Sequence, residues 1–309
     1  MISISVHLIT YNNEKYIEAT IESILKQKVN FNYEIVVGDD CSTDGTLSII
    51  ENYKNKHPKL FIVFKNKSQL GILKNFKSTL DKCNGNFVLP LAGDDLLKNE
   101  NTLQKMVDVL NRDDSLGFID SGFDKYYENS NKTIQFANKK SIEFNKRDYK
   151  KAILLGEITP IGICFNRTQL LKYVDFKTYI NKNITIDDYP VLVDLVMHTN
   201  FKRINESLVV YRIYDDSFSH EKDFEKQYSL ANQMKNLFDY FSKKYGFEKN
   251  IIESYSQKHL KQILFYAGFF ENKDLGKEVF LKIKSKSIKD YIHYWTSQNK
   301  LFRKLASLA

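Results

Sequence analysis

Arginine is scarce in this 309-residue chain: six stand against forty lysines. Nucleic-acid recognition usually relies on the planar arginine fork, so a formal charge of +8 carried almost wholly by lysine argues against a nucleic-acid partner. Genome bias towards lysine and asparagine accounts for much of that charge; a mildly basic surface also suits an anionic small-molecule donor or an anionic membrane face. Cysteine is equally thin. Cys41, Cys83 and Cys164 are odd in number and show no CxxC spacing, which excludes a disulfide framework and a zinc ribbon and points to a reducing compartment. No stretch approaches the ~18 apolar residues of a spanning helix. The opening Met1–Val6 has neither a basic leader nor a small-residue cleavage site. The expectation is a cytoplasmic protein, with contact at the inner face of the cell membrane as an added option. Low-complexity linkers and internal repeats are also lacking. What remains is ordinary for a soluble enzyme: hydrophobic residues at 42% and charged residues at 27% exclude disorder as the main state.

The positive signal is alternation. Ile4–Ile9 reads as a strand, Ile17, Ile21, Ile24 and Leu25 recur at helical spacing, and Tyr33–Gly38 reads as a second strand. A helix over Thr46–Lys56, a strand over Phe61–Phe64, a helix from about Lys74 to Asp81 and a strand over Phe87–Leu91 continue the pattern; Leu103, Met106, Val107 and Leu110 mark one more helix. Such a βαβα order predicts a mostly parallel sheet with helices on both faces, and ligands beyond the carboxyl ends of its strands. Beyond Phe118 the alternation loosens. A polar loop near Asn129–Lys140, a helix around Arg147–Leu155, a short strand over Ile161–Phe165, a helix opening at Asp187-Asp188-Tyr189-Pro190 and a strand over Leu208–Tyr211 follow. From Glu221 onward only helical periodicity is visible.

Polar residues gather at the predicted carboxyl edge: Thr10-Tyr11-Asn12 after the first strand, Asp39-Asp40 after the second, and Gly93-Asp94-Asp95 after the fourth. A nucleotide diphosphate gains charge as its bond to a sugar breaks, and a divalent cation held by hard carboxylate oxygens offsets that charge. Asp94 and Asp95 have the right chemistry, although Gly-Asp-Asp also serves as a plain turn. An aspartate at the position of Asp39 accepts a hydrogen bond from a uracil-type imide. Ser42, Thr43 or Asp44 offers a cap to the next helix. GxGxxG is missing, so dinucleotide binding is not indicated.

Taken together, SVHLITYNNEKYIEATIESILKQ, YEIVVGDDCSTDGT, LPLAGDDLL, IDDYPVLVDL and YRIYDDSFSH resemble, in order over residues 3 to 220, the inverting glycosyltransferases of family 2, of the bacterial surface-polysaccharide type. The resemblance implies an α/β GT-A fold, a Rossmann-like mostly parallel sheet, over residues 1–220. Residues 1–117 would form its nucleotide-binding half and 118–220 its acceptor half, with a C-terminal helical appendage over 221–309. It implies a hexosyl- or N-acetylhexosaminyl-transferase that uses Mn2+ or Mg2+ and moves a sugar from a UDP-sugar or related donor to a hydroxyl of a glycan or lipid-linked acceptor. Thr10, Tyr11, Glu14, Asp39 and Asp94 would meet the donor nucleotide, with Asp40 in support. Asp95 and His220 would face the metal, His220 in contact with phosphate or metal where the plain alternative is an exposed loop histidine. The family's common acid two residues before Asp94 is here Ala92. Asp188 would be the catalytic base with Asp187 as neighbour or alternate, both favoured as anions by the helix N-terminus; a simple helix cap is the competing reading. Lys74 and Arg212 also come within the family's diphosphate region without being assigned to it. Tyr291–Leu308 reads either as a basic amphipathic helix for a membrane surface or, preferred, as a packed terminal helix. The rival functions are a nucleotidyltransferase on a related sheet and a non-catalytic sugar-nucleotide-binding assembly subunit.

Overall fold

β1 (Ile2–Thr10) is the pivot of the fold, hydrogen-bonded on one side to β2 (Asn32–Asp39) and on the other to β4 (Phe87–Ala92), all parallel. The computed structural model describes residues 1–135, 145–214 and 223–299. Between β1 and β2 lies α1 (Ile17–Leu25); α2 (Thr46–Lys56) leads to β3 (Phe61–Lys65), and α3 (Ile72–Leu80) leads to β4. Then come β5 (Leu96–Leu97), α4 (Thr102–Leu110), β6 (Leu116–Tyr127), a single 3-10 turn at Glu128–Ser130 and β7 (Lys132–Ile134). The first unit continues with α5 (Lys146–Leu154), β8 (Ile163–Asn166), α6 (Arg167–Tyr173), α7 (Phe176–Asn181), α8 (Asp188–His198) and β9 (Asn200–Ile213).

The strands form one sheet in the order β3-β2-β1-β4-β8-β6-β9-β5, with β7 alongside β6. β5, β7 and β8 run against their neighbours, so the sheet is mixed beyond β4. Period-two alternation places Ile4, Val6 and Leu8 of β1 in a core shared with α1, α2 and α4. The opposite face of β1 carries Ser5 and His7, and there the His7 ring lies against Phe76 of α3. Both faces are therefore covered, as the near-continuous apolar run of a parallel strand requires.

The strict alternation does loosen after Phe118, but β6 there extends over twelve residues that the sequence pattern does not mark as a strand. Buried Asp120, Ser121 and Asp124 interrupt its apolar pattern, and their polarity is matched locally, since Tyr149 donates to Asp120 at 2.8 Å and Lys98 pairs with Asp124 at 2.6 Å. The short strand read at Leu208–Tyr211 is the apolar end of the fourteen-residue β9. Finally, α6 and α7 fill the interval before Asp187; Asn166 and Asp175 cap them by accepting from the Gln169 and Thr178 amides.

Contacts divide the chain into two units, residues 1–153 with 158–215, and residues 154–157 with 216–309. In the second unit, described elements after residue 222 are all helical: α9 (Phe224–Tyr245), α10 (Lys249–Phe269), α11 (Lys273–Lys282) and α12 (Ile288–Gln298). Ala231, Ile263, Leu264, Val279 and Ile283 form its small core. No helix among the described residues is long and apolar enough to cross a membrane.

Candidate active site at the carboxyl edge of the sheet

The strand order reverses direction at β1, because the chain builds outward to β2 and β3 and then returns to place β4 on the other side. In α/β sheets such a switch is where ligands bind beyond the carboxyl ends of the two central strands, here the edge at which Thr10 and Gly93 meet. Gly93 is required by close approach: a Cβ there would sit 2.5 Å from Thr10 Oγ1 and 2.8 Å from Asn13 Oδ1.

The loops after β1 and β2 are stitched together. Thr10 Oγ1 donates to Asn13 Oδ1 at 2.8 Å, while the Asn13 amide donates to Thr46 Oγ1 at 2.7 Å. Asn12, in the left-handed region at φ 52°, donates its amide to Ser42 Oγ at 3.0 Å and accepts from the Thr43 amide at 2.9 Å. The Glu14 amide donates to Asp44 at 3.1 Å, and the Glu14 carboxylate accepts from the Gly45 amide. Asp39 is fully buried, with its oxygens accepting from the hydroxyl and amide of Ser42. Asp40 clamps the segment before α3, accepting from Asn66 at 2.9 Å, Leu70 at 2.8 Å and Gly71 at 2.9 Å. Tyr11 alone among these residues turns an exposed ring outward. Thr10, Tyr11, Glu14 and Asp39 are thus brought to one edge. Asn12, Asn13, Ser42 and Thr46, unassigned from sequence, build the frame; their Asn-Asn and Ser-Thr spacing in adjacent loops is the only prior signal.

Asp94 and Asp95 follow β4, where Asp95 is 6% exposed and Asp94 half-buried. Asp95 Oδ1 accepts from the Arg212 amide at 3.1 Å, and Asp94 Oδ2 from the Tyr214 hydroxyl at 2.8 Å. Burial raises the pKa of Asp94; burial and then the Asp94 charge push Asp95 well above the ordinary carboxylate value. The Arg212 charge lowers both only in part, for its guanidinium forms no direct ion pair with either carboxylate: it donates through Nε to the Asp94 carbonyl at 3.0 Å and pairs through Nη1 with Glu128. The Tyr16 and Tyr126 rings lie 5.0 Å and 5.4 Å from that guanidinium, and the Tyr214 ring is 4.7 Å from Tyr16. Arg212 therefore belongs to the wall of the site through residues that sequence reading left out.

A buried and a half-buried carboxylate, both with raised proton affinity and neither in an ion pair with a described lysine or arginine, have the hard oxygens that would suit a divalent cation. Among the described residues no three acidic, histidine or cysteine side chains converge into a fuller metal site. His220 lies outside the described residues.

Asp187 and Asp188 open α8. That helix passes through Thr199 directly into β9 and packs back against β6 and β9. β9 and β6 run in the direction of β4, so the start of α8 is carried to the carboxyl edge. Neither residue acts as a conventional cap: Asp187 at the N-cap position makes no side-chain cap bond, and Asp188 accepts only from the adjacent Tyr189 amide at 2.6 Å. The helix N-terminus is expected to favour the anions, but burial acts the other way on both. Burial, then the charge of Asp188, raises Asp187 to about 7, and burial raises Asp188 as well.

The family model for glycosyl transferase family 2 matches residues 5–175. A Haemophilus influenzae glycosyltransferase is 24% identical over 97% of this chain and 92% of its own length. An uncharacterised Mycobacterium tuberculosis protein is 33% identical over 108 residues, 35% of this chain, which spans only 31% of that relative. Among solved structures, Staphylococcus aureus TarS 1-349 in complex with UDP-GlcNAc superposes with a TM-score of 0.59 at 18% identity, over 96% of this chain and 79% of that one. The mannosyltransferase PcManGT of Pyrobaculum calidifontis, in complex with GDP-Man and Mn2+, also gives 0.59, at 15% identity over 98% and 83%. The sheet order, the edge on which the acidic residues meet and the matched segment agree: the chain has the GT-A fold and belongs to glycosyl transferase family 2.

Proposed function

We propose that this protein transfers a sugar from a nucleotide diphosphate donor, of the UDP-sugar class, to a hydroxyl of a glycan or lipid-linked acceptor, with inversion at the anomeric carbon. The single observation that carries the reading is the pairing, at the β1/β4 switch point, of a stitched polar cradle with the buried Asp94-Asp95 pair. The UDP-GlcNAc complex of TarS supports the choice of uridine, and the Mn2+ complex of PcManGT supports a divalent cation.

Thr10 and Asp39 line the nucleoside side of this edge; Tyr11 offers its exposed ring and Glu14 fixes the neighbouring loop. Asp95 with Asp94 would hold Mn2+ or Mg2+, which offsets the negative charge that gathers on the departing diphosphate. Asp188 takes the proton of the acceptor hydroxyl as that oxygen bonds to the anomeric carbon and the bond to the diphosphate breaks, its electron pair leaving with the nucleotide. Asp187 stands beside it, its own pKa raised by burial and then by the charge of Asp188, while burial raises Asp188. The acceptor binds over residues 118–215 of the first unit, and the polysaccharide setting follows the relatives' names, among them the poly(ribitol-phosphate) N-acetylglucosaminyltransferase TarS.

Asp188→Asn tests this reading. It is expected to keep metal-dependent nucleotide binding while release of UDP from UDP-sugar in the presence of acceptor falls by about 10²–10⁴-fold. A nucleotidyltransferase has no need of this carboxylate, and an unchanged rate would move the function there.

A further inference from the structure

The last described helix is packed inside out. Along α12 the buried residues are Asp290, Thr296 and Ser297, with Tyr294 packed part-buried against the core, whereas Ile288, Tyr291, Ile292 and Trp295, spaced to share one helical face, are exposed. Ile288 is 80% exposed and Trp295 44%. The inward polarity is fully accounted for within the unit: Asp290 closes a capping box with Ser287 and pairs with Lys261 at 3.1 Å. Thr296 and Ser297 oppose glycines, a Cβ on Gly268 meeting Thr296 Oγ1 at 2.6 Å and one on Gly276 colliding with the Ser297 hydroxyl. Small residues thus draw α10, α11 and α12 together, and aromatic and aliphatic side chains remain outside, an arrangement suited to an apolar surrounding.

The outward surface continues beyond α12. Leu281 at the end of α11 is 73% exposed beside Phe280, whose ring lies 5.2 Å from Tyr291, and Phe265 of α10 meets His293 edge-on at 5.2 Å. A contiguous apolar surface of this kind marks an interaction site. Its chemistry is specified by the rim: the stretch from the end of α11 to the start of α12 carries Lys282, Lys284, Lys286 and Lys289, of which Lys282 pairs with Glu278 at 2.6 Å and Lys284 with Glu253 at 3.8 Å, both pairs exposed.

We infer that the face made by α11 and α12 is a docking surface for an anionic lipid bilayer, with Ile288, Ile292 and Leu281 entering the headgroup boundary, Tyr291 and Trp295 at its level, and the lysines on the phosphates. Indole and phenol rings with an apolar body and polar tip favour that depth, and lysines near the surface add to the attraction. A second copy of this chain fits less well, because a two-fold contact would set the same lysine run against itself. The inference is independent of the donor site, and it places the enzyme beside lipid-linked substrates.

Trp295 is the only tryptophan of the chain and reports directly. Full-length protein is mixed with vesicles of phosphatidylcholine alone or with an equal part of phosphatidylglycerol. Sedimentation with the anionic vesicles only, with a blue shift of Trp295 emission, is expected, and Ile288→Ser/Ile292→Ser is expected to weaken it at least about tenfold while helical circular dichroism and UDP binding persist. Failure to sediment with anionic vesicles, or binding that the double variant leaves intact, overturns the inference. So does a Trp295 shift that follows protein concentration without lipid, accompanied by a dimer on light scattering.

Discussion

At the scale of single residues, the site is governed by burial of carboxylates. Asp94, Asp95, Asp187 and Asp188 all hold protons more tightly than free aspartate, for burial outweighs the hydrogen bonds that favour their anions. For the second pair this has a kinetic consequence. A base must be ionised to accept a proton, so kcat/KM is expected to rise with pH through a limb that belongs to the Asp187–Asp188 pair and lies above the ordinary carboxylate range. Burial raises Asp188 on its own, so Asp187→Asn should leave the limb above the ordinary carboxylate range; a limb that drops into that range contradicts the assignment of Asp188. Arg212 makes a different prediction. Because its amide and Nε secure Asp95 and the Asp94 carbonyl while Glu128 holds its Nη1, Arg212→Lys keeps the charge but loses the fork. Metal-dependent nucleotide affinity, measured by titration calorimetry, should fall roughly tenfold.

Between elements, the decisive structure is the seam joining the loop after β1 to the loop after β2. Ser42 is central, since it is the hydrogen-bond partner of the fully buried Asp39 and also receives the Asn12 amide. Ser42→Ala removes the hydroxyl and leaves both groups short of a partner, at a cost of about 1–3 kcal/mol in denaturant unfolding. The same scale shows what was legible beforehand. Helix Thr46–Lys56 and the strands through Leu91 were readable because buried parallel strands and one-sided helices leave strong periodicity. β6 was not, because Asp120, Ser121 and Asp124 break its apolar pattern and each has a partner distant in sequence, Tyr149, Gly162 and Lys98 respectively. The acidic ends of β2 and β4 were visible as motifs. Their dependence on Arg212, Glu128, Tyr16 and Tyr214 was not, because contacts between residues 84 to 120 apart, such as Arg212–Glu128 and Tyr214–Asp94, leave no local pattern. The burial of Asp187 was not visible for a similar reason: the helix start predicts a dipole, whereas burial is set by the surrounding fold.

Across the whole molecule, a GT-A unit carrying a two-stranded switch point is joined to a helical unit with an outward apolar face. The sheet itself contains a pH-sensitive element in His7, enclosed between strands and holding a pKa of about 4 by burial against a usual 6.5. Between those values the unfolded chain takes up the extra proton, so this contribution is complete above about pH 6.5 and is lost as pH falls towards 4. It amounts to about 3 kcal/mol, and denaturant midpoints of wild type and His7→Gln should converge on acidification. The central claim, that the carboxyl edge at β1 and β4 binds a nucleotide diphosphate with a divalent cation, is tested on the intact chain by calorimetric titration with UDP, GDP, CDP and dTDP, with and without Mn2+, repeated on Asp95→Ala. The account predicts Mn2+-dependent binding of UDP in preference to the others, abolished in the variant. Absence of binding by every nucleotide, or affinity that neither Mn2+ nor Asp95→Ala alters, would contradict it.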